Sequence, residues 1–422
     1  MNEALSAILW GIPTFSILVV LHEGGHFAVA RAFGVKVHEF MLGLPGPALR
    51  YKGKHTTYGV TAILLGGYVR IAGMEPGPED PLMTDALAYI TRVGSGNAAG
   101  LSYALDVDMR RAETLLVTLA DWDAIDVDEN DRDTYVAKAG PEDAQDAAVL
   151  LGEARKHTYR GLPTWKRVAV LSAGVVVNLL TAILIFVGML MLIGVPTPTG
   201  SLKLASAAAG GPAALVGIRA GDTITALDAK KLADWSALLD TIATYKPGDT
   251  VVVTVMRDGA EKTFTVVLGK NDLGKARLGV EESTAYVRSS LGAALKDSFT
   301  WIGMVFVAIA NFFNPHTFQA TVAQSSSIIG ASVVVSRAAA SGWVDFIWIV
   351  ALLSLSLGVI NVVPIPPLDG GKIALELIER VMGRPLPRNL SLSLSAIGAM
   401  MLFALIGYLM YTDILRYVVH GG

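Results

Sequence analysis

Five consecutive residues, His22-Glu23-Gly24-Gly25-His26, have the types and spacing of a metal site. On a helix, residues four apart lie on one face, so both imidazoles reach a single ion. Glu23, beside the first histidine, is placed to take a proton from water that such an ion has made acidic. Cysteine is absent from the chain, so an ion is held by His, Asp or Glu. The chemistry these residues can do is hydrolysis.

The motif lies inside an apolar run, residues 5–34, which continues past it through 27–29. Ionisable side chains at membrane depth are costly and usually functional. The alternative, a helix end whose polar residues snorkel to the interface, sits poorly with that continuation. A third ligand has to come from elsewhere. Asp369, in Asn361-Val-Val-Pro-Ile-Pro-Pro-Leu-Asp-Gly-Gly371, follows a second apolar run. Counting helical rise brings it to the depth of His22. The prolines forbid an ordinary helix there, and broken backbone at membrane depth is tolerated where it lines a cavity. Asp-Gly is also a common turn pair, which leaves a turn role for Asp369 as the other reading.

The elements that position these groups follow from the apolar runs. Of 422 residues, 52% are hydrophobic and 17% charged, and the net charge of −3 gives no basic footprint for nucleic acid. Runs 5–34, 168–195, 346–363 and 390–411 are long enough to span a bilayer. Met1-Asn2-Glu3 is acidic where a signal peptide is basic, so the first run reads as a retained span. Arg31 and Lys36 follow it, five basic residues from Arg155 to Arg167 precede the second run, and Lys372, Arg380, Arg384 and Arg388 separate the last two. Positive charge marks the cytoplasmic side, which gives four spans with both termini outside. Residues 300–313, ending at Asn314-Pro315, read as a short membrane-associated helix. A crossing there would put Asp369 outside, on the face opposite the inner end of the first span.

Two polar regions remain. Residues 197–282 show the pattern of a small β-rich domain, with strands at 250–256 and 261–268 around the turn pair Asp258-Gly259, and a short helix at 235–245. Residues 75–159 are acidic, with Asp121, Asp123, Asp126, Asp128, Glu129, Asp131 and Asp133 in one stretch. A helix is expected at 109–119 and solvated loop across the acidic run, on the cytoplasmic side. His38, His55, His157, His316 and His420 lack ligand spacing and read as surface or interfacial. Asp345 and Asp413 read as solvated residues at outer span ends, and Met400 and Met401 as packing or lipid-facing.

The segment Gly217-Ile-Arg-Ala-Gly-Asp-Thr-Ile224 resembles the start of a PDZ domain of the bacterial protease type. Together, HExxH in a first span, one PDZ domain and NxxPxPxxDG in a later span resemble the RseP-type branch of the site-2 protease family. The likeness covers everything except the acidic insert, where typical members have a short connection. It implies a polytopic α-helical membrane protein with about four transmembrane helices, a membrane-reentrant β-hairpin at Leu64-Leu-Gly-Gly-Tyr-Val-Arg70, and an extracytoplasmic PDZ domain. The expected segments are 1–74 (first transmembrane helix and hairpin), 75–165 (insert), 166–196 (second helix) and 197–282 (PDZ). They continue as 283–340 (membrane-associated region), 341–388 (third helix with NxxPxPxxDG) and 389–422 (fourth helix).

The resemblance further implies that His22, His26 and Asp369 bind one zinc ion (Zn2+), that Glu23 is the catalytic acid/base, and that Asn361, Pro364 and Pro366 hold substrate. Substrates would be transmembrane proteins of a bacterial inner membrane, such as anti-sigma factors or signal-peptide remnants, with an upstream site-1 protease as a further partner. Unwinding a helix in lipid leaves backbone groups unpaired, and a strand edge near Gly66 and Gly67 could pair them by β-augmentation. A catalytically inactive scaffold that presents its PDZ domain is the rival from another class. A transporter is a second rival, although the spans show no inverted repeat.

Overall fold

A computed structural model describes residues 3–415 apart from 65, 76, 129, 272 and 273. Leu65, Glu129 and His420 of the sequence reading therefore lie outside the described residues. The chain divides into two compact units, residues 1–186 with 297–422, and residues 187–296.

The first unit is built on long apolar helices. Helix α1 (Glu3–Ala32) carries the HExxH residues. A four-stranded sheet follows, β1 (Val37–Leu42), β2 (Ala48–Lys52), β3 (Thr57–Thr61) and β4 (Gly67–Ile71), in the order β2-β3-β1-β4. Strands β1 and β3 are parallel and the other neighbours antiparallel. This sheet stands where a single hairpin was expected. Strands β2 and β3 expose Leu49, Tyr51 and Val60, so this part of the sheet has an apolar face not covered by protein. Strand β4 is an edge, hydrogen-bonded to β1 alone.

The insert folds around a core of its own. Helix α2 (Met83–Val93), β5 (Ser95–Asn97), α3 (Ala98–Leu105), α4 (Met109–Asp121), β6 (Ile125–Val127), β7 (Thr134–Ala137) and α5 (Ala147–Lys156) follow one another. Ala112, Leu115, Leu116 and Leu119 recur at helical spacing on α4 and are fully buried with Leu87, Ile90 and Ile125. Each such leucine or isoleucine withdrawn from water contributes roughly 1.5–3 kcal/mol. Asp108 caps α4, its Oδ1 accepting from the Arg111 N–H at 3.0 Å.

The acidic run is the expected solvated loop only in part. Asp126, Asp131 and Asp133 are exposed, but the run holds β6 and leads into β7, and its first two carboxylates are structural. Asp121 accepts from the Gly73 N–H at 2.7 Å and lies 3.3 Å from His38 Nε2, while Asp123 pairs with Lys36 and Lys138. Burial would raise the Asp121 carboxyl, yet the His38 and Gly73 hydrogen bonds outweigh it and hold it below the usual range. His38 is correspondingly a half-buried residue of β1 rather than a surface one.

Helix α6 (Thr164–Leu192) leads to the second unit. That unit contains β8 (Val195–Pro198), β9 (Leu204–Ala207), α7 (Pro212–Leu215), β10 (Thr223–Leu227), β11 (Lys230–Lys231), α8 (Trp235–Ile242), β12 (Thr250–Arg257) and β13 (Ala260–Val267). The main sheet runs β11-β10-β12-β13. On β12, Val251, Val253 and Val255 point into the core while Val252 and Met256 are exposed, the period-two pattern of a strand covered on one face. Asp258 and Gly259 both take positive φ, as a type I′ hairpin turn demands. Asp222, from the PDZ-like segment, is buried and receives Arg257 Nε and Nη2 at 2.6 Å each. The Arg257 guanidinium holds that carboxyl below its ordinary range.

The remaining helices are α9 (Leu291–Ala310), α10 (Phe318–Gln324), α11 (Ile328–Ser341), α12 (Trp343–Ile360), α13 (Asp369–Met382) and α14 (Arg388–Ile414). Five helices are long and apolar enough to cross a membrane by length and composition, the segment Leu291–Phe313 among them. The expected short helix at 300–313 thus begins earlier and reaches span length. The pair α10 and α11 passes the same test together, bent by 45°.

Helix α11 runs antiparallel to α1, with Ser336 Oγ donating to Ser6 Oγ at 2.6 Å and Ser332 against Gly11. Asp413, expected to be solvated, is fully buried on α14. Its carboxylate accepts from the Ser327 N–H at 2.6 Å and the Gly330 N–H at 3.2 Å, which caps the start of α11. Asp345 is exposed, as read.

Candidate metal centre

Three side chains meet where α1, α6 and the start of α13 come together. His22 Nε2 lies 2.9 Å from Asp369 Oδ2, His26 Nε2 lies 3.1 Å from the same oxygen, and the two Nε2 atoms are 3.3 Å apart. All three residues are buried. Local sequence explains the geometry. The four-residue spacing puts both histidines on one face of α1. Gly25 lets α6 approach, since a Cβ there would lie 2.5 Å from the Ala173 carbonyl oxygen. Pro364, Pro366 and Pro367 prevent α12 from continuing, and the chain restarts as a helix at Asp369. The Gly370 N–H donates to the Asn361 carbonyl at 2.7 Å, and Gly398 of α14 packs against the Pro366 carbonyl.

The hydrogen-bond pattern fits a cation at the centre of these atoms. His26 Nδ1 lies 2.7 Å from the Val170 carbonyl oxygen, a bond that needs its proton on Nδ1. Neutral His26 then aims the Nε2 lone pair at a carboxylate oxygen, an arrangement that a cation between them relieves. Asn178 of α6 lies beside the other histidine, with Nδ2 3.2 Å from His22 Nδ1, and its Oδ1 is buried without a hydrogen-bond partner. The other orientation of the amide places its oxygen against His22 Nδ1. Oδ1 then accepts from His22 Nδ1–H and leaves Nε2 free as a ligand atom. Tetrahedral ligation at about 2.0–2.1 Å spaces neighbouring donors about 3.3 Å apart, close to the separations found.

Glu23 sits half-buried on the same turn, its Cγ 3.8 Å from where a Cβ on Gly67 would be. Edge strand β4 thus runs alongside Glu23, and the missing side chain at Gly67 spares a clash with the Met41 carbonyl oxygen, 2.9 Å from where a Cβ would lie. Asn361 is the C-cap of α12, and its Nδ2 donates to the Leu357 carbonyl at 2.9 Å rather than into the centre. Pro364 is exposed, Pro366 half-buried, and Gly66 takes a positive φ of 97° at the turn into β4. Helix α13 is tied back to α6 by Glu376, which meets Arg167 Nη1 at 2.9 Å and accepts from the Tyr159 hydroxyl at 3.4 Å.

Two functional positions escaped the sequence reading, Asn178 and Gly174. Asn178 is a lone carboxamide in the otherwise uncharged run 168–195, and that isolation was the available signal. Ser354 Oγ donates to the Asn178 carbonyl at 2.9 Å, so α12 also steadies it. Asn178→Leu is expected to weaken metal affinity about 10–100-fold, the usual effect of removing the partner of a ligating histidine. Competition against a chromophoric chelator measures this, and wild-type affinity in the variant would remove Asn178 from the site.

Comparison with known proteins gives the family. The model of peptidase family M50 matches residues 10–405, and the chain belongs to that family. It is 26% identical over 445 residues to the "Probable protease eep" of Enterococcus faecalis, covering 98% of this chain and 100% of that one. It is also 26% identical over 422 residues to the zinc metalloprotease RasP of Shouchella clausii, covering 97% and 99%. Among solved structures, the PDZ domain of an SdrC-like protein from Listeria monocytogenes aligns at 25% identity and a TM-score of 0.19, over 21% of this chain and 93% of that domain. The chain is a membrane metallopeptidase of the site-2 protease type, as its motifs implied.

Proposed function

We propose that this enzyme holds one zinc ion with His22, His26 and Asp369 and hydrolyses peptide bonds within or near the transmembrane segments of other membrane proteins. The convergence of three buried ligand atoms on one point is the observation that carries the reading. Bound there, zinc supplies Lewis acidity to the scissile carbonyl and to water. The protein's own groups do the rest. Glu23 takes the proton from the attacking water and returns it to the leaving amine. Lys372, 3.6 Å from Asp369 Oδ1, occupies the second carboxylate oxygen and keeps Oδ2 for the ion. The free edge of β4 accepts an unwound substrate segment as an added strand, with Gly66 and Gly67 permitting close approach. Asn361, Pro364 and Pro366 line the opposite side of that segment.

Helix directions, taken with the basic residues that mark the inner ends of the spans, support the sidedness. Trp10 of α1 stacks on Phe346 of α12 at 5.2 Å, and Asp369 beyond α12 meets His22, so α1 and α12 run the same way. Helix α6 runs against them, with Val170 beside His26 and Asn178 beside His22. The chain therefore crosses an even number of times between α6 and α12. Helix α9 and the bent pair α10–α11 cross together or stay on one side together, and both arrangements keep the insert cytoplasmic and the PDZ-like unit outside a bacterial inner membrane. An upstream protease that trims the outer part of substrates suits this layout.

Purified enzyme should lose cleavage of a transmembrane peptide on chelation and regain it with one equivalent of zinc. Chelator-resistant cleavage would sink the metal assignment, and absence of both bound zinc and cleavage would favour the scaffold reading for the PDZ-like unit. A single cysteine placed at Asp126, in a chain with none of its own, should resist an impermeant thiol reagent in intact cells and react after lysis. Labelling of intact cells would reverse the topology.

A further inference from the structure

The first unit holds a cleft of about 810 Å³ where the end of α1, the β2–β3 turn and the insert meet. The charged residues of its walls are mostly cationic. Arg31 comes from α1, Lys52, Lys54 and His55 from the turn, and Lys138 and His157 from the insert side. Asp123 and Glu153 are the only carboxylates that line it, and both are engaged. Asp123 is shared by Lys36 and Lys138, and Glu153 holds Lys156 at 2.5 Å. Among the described residues, Arg31, Lys52 and Lys54 have no carboxylate within ion-pair distance.

Three unpaired cations around one concavity repel one another, and low-dielectric walls focus their field on the space between. Such an arrangement is favourable when an anion occupies the middle. The volume is that of a small-molecule site rather than a solvent crevice. The depth is informative as well. Phe33, just beyond Arg31, stacks on Trp165 at 5.7 Å, and Lys166 lies over both rings at 5.1 and 5.5 Å. Exposed tryptophan beside lysine marks the membrane–water boundary. The cleft thus opens at the level of lipid headgroups on the side where the insert lies.

We infer that this cleft binds a phosphate-bearing anion, either the headgroup of an acidic phospholipid or a soluble phosphorylated small molecule. Arg31 offers a planar fork for two phosphate oxygens, and Lys52 and Lys54 on their turn close over it as point charges. Because Lys138 and His157 belong to the insert side, one bound anion joins the insert to the body that carries the metal centre. That gives the insert a role as the enzyme's reporter of its anionic surroundings.

The test uses full-length enzyme in neutral detergent, with binding followed by thermophoresis. Three probes are titrated: dihexanoyl phosphatidylglycerol, inorganic pyrophosphate, and dihexanoyl phosphatidylcholine as the zwitterionic control. Saturable binding of an anionic probe is expected, with phosphatidylcholine at least tenfold weaker. Preference for phosphatidylglycerol assigns the membrane source, and preference for pyrophosphate the soluble one.

Lys52→Gln/Lys54→Gln should weaken the preferred probe about tenfold or more, since each charge-assisted bond to phosphate contributes on that scale. Lys230→Gln/Lys231→Gln, an equal charge change in the other unit, should leave it unaltered. Arg31→Gln provides an independent variant should the first misfold. No saturable anion binding, equal binding of phosphatidylcholine, or equal losses in the two lysine double variants would overturn the proposal.

Discussion

Glu23→Gln enzyme is expected to retain its zinc at one ion per chain and to lose cleavage by a factor of about 10²–10⁴ or more. The substitution is nearly isosteric and Glu23 is not among the three converging ligand atoms, so the ion should stay. What is lost is the only carboxylate beside His22 on α1 that can move a proton between water and the leaving amine. Metal content by atomic emission and cleavage of a transmembrane peptide are read on the same preparation. Full cleavage by the variant would remove Glu23 from the mechanism. Loss of zinc along with activity would instead make it a structural prop of the site.

Gly174→Ala should be almost as damaging, although it removes no ligand. A Cβ there would lie 2.5 Å from His26 Nε2 and 2.7 Å from His22 Cε1, in the space of the ligand atoms themselves. The helices have little room to part. Val170, one turn earlier on α6, receives His26 Nδ1–H, and Gly25 already brings α1 against the Ala173 carbonyl. The added methyl must displace at least one imidazole, and misplacement on the order of 1 Å costs about 10²-fold in rate. Zinc content well below one per chain and cleavage down at least tenfold are expected. Gly188→Ala, on the same helix with open space around its Cβ position, is the matched control. Wild-type zinc affinity in Gly174→Ala would mean that α1 and α6 do not approach as described.

Much of the centre was legible because its chemistry is written locally. HExxH fixes two ligands through helical spacing alone, and Asp369 announces itself by following a proline-broken span. The long helices were equally readable, since uncharged runs of that length have few other uses. What was not legible depended on distant pairing. The sheet hides in the sequence because its β1–β3 pairing is parallel and non-local. Leu49 and Tyr51 on neighbouring β2 point outward as apolar residues, which blurs the usual alternation.

Asp413 looked solvated because its partners are backbone N–H groups of Ser327 and Gly330, 86 and 83 residues away, which no side-chain pattern records. Helix α9 was cut short in the reading because Lys296 and Asp297 interrupt its apolar run. Asn178 was passed over because one amide in a long apolar run carries no spacing signal until a histidine is seen beside it.

The insert has a property that reaches beyond its contacts. Its chain departs and returns at one place: the Tyr159 N–H donates to the Ala72 carbonyl at 2.8 Å, and the Ala72 N–H to the Lys36 carbonyl at 3.0 Å. Most of what lies between those anchors packs on itself like a cartridge, with the Asp121–His38 and Asp123–Lys36 pairs as ties to the body. Loop-closure entropy rises only about 0.6 kcal/mol for each doubling of length, so such a segment can be exchanged, shortened or enlarged with little effect on β4 and α6 at its two ends. Natural variation, or a deliberate graft of another small domain, can therefore change the insert while the body that carries the metal centre keeps its geometry.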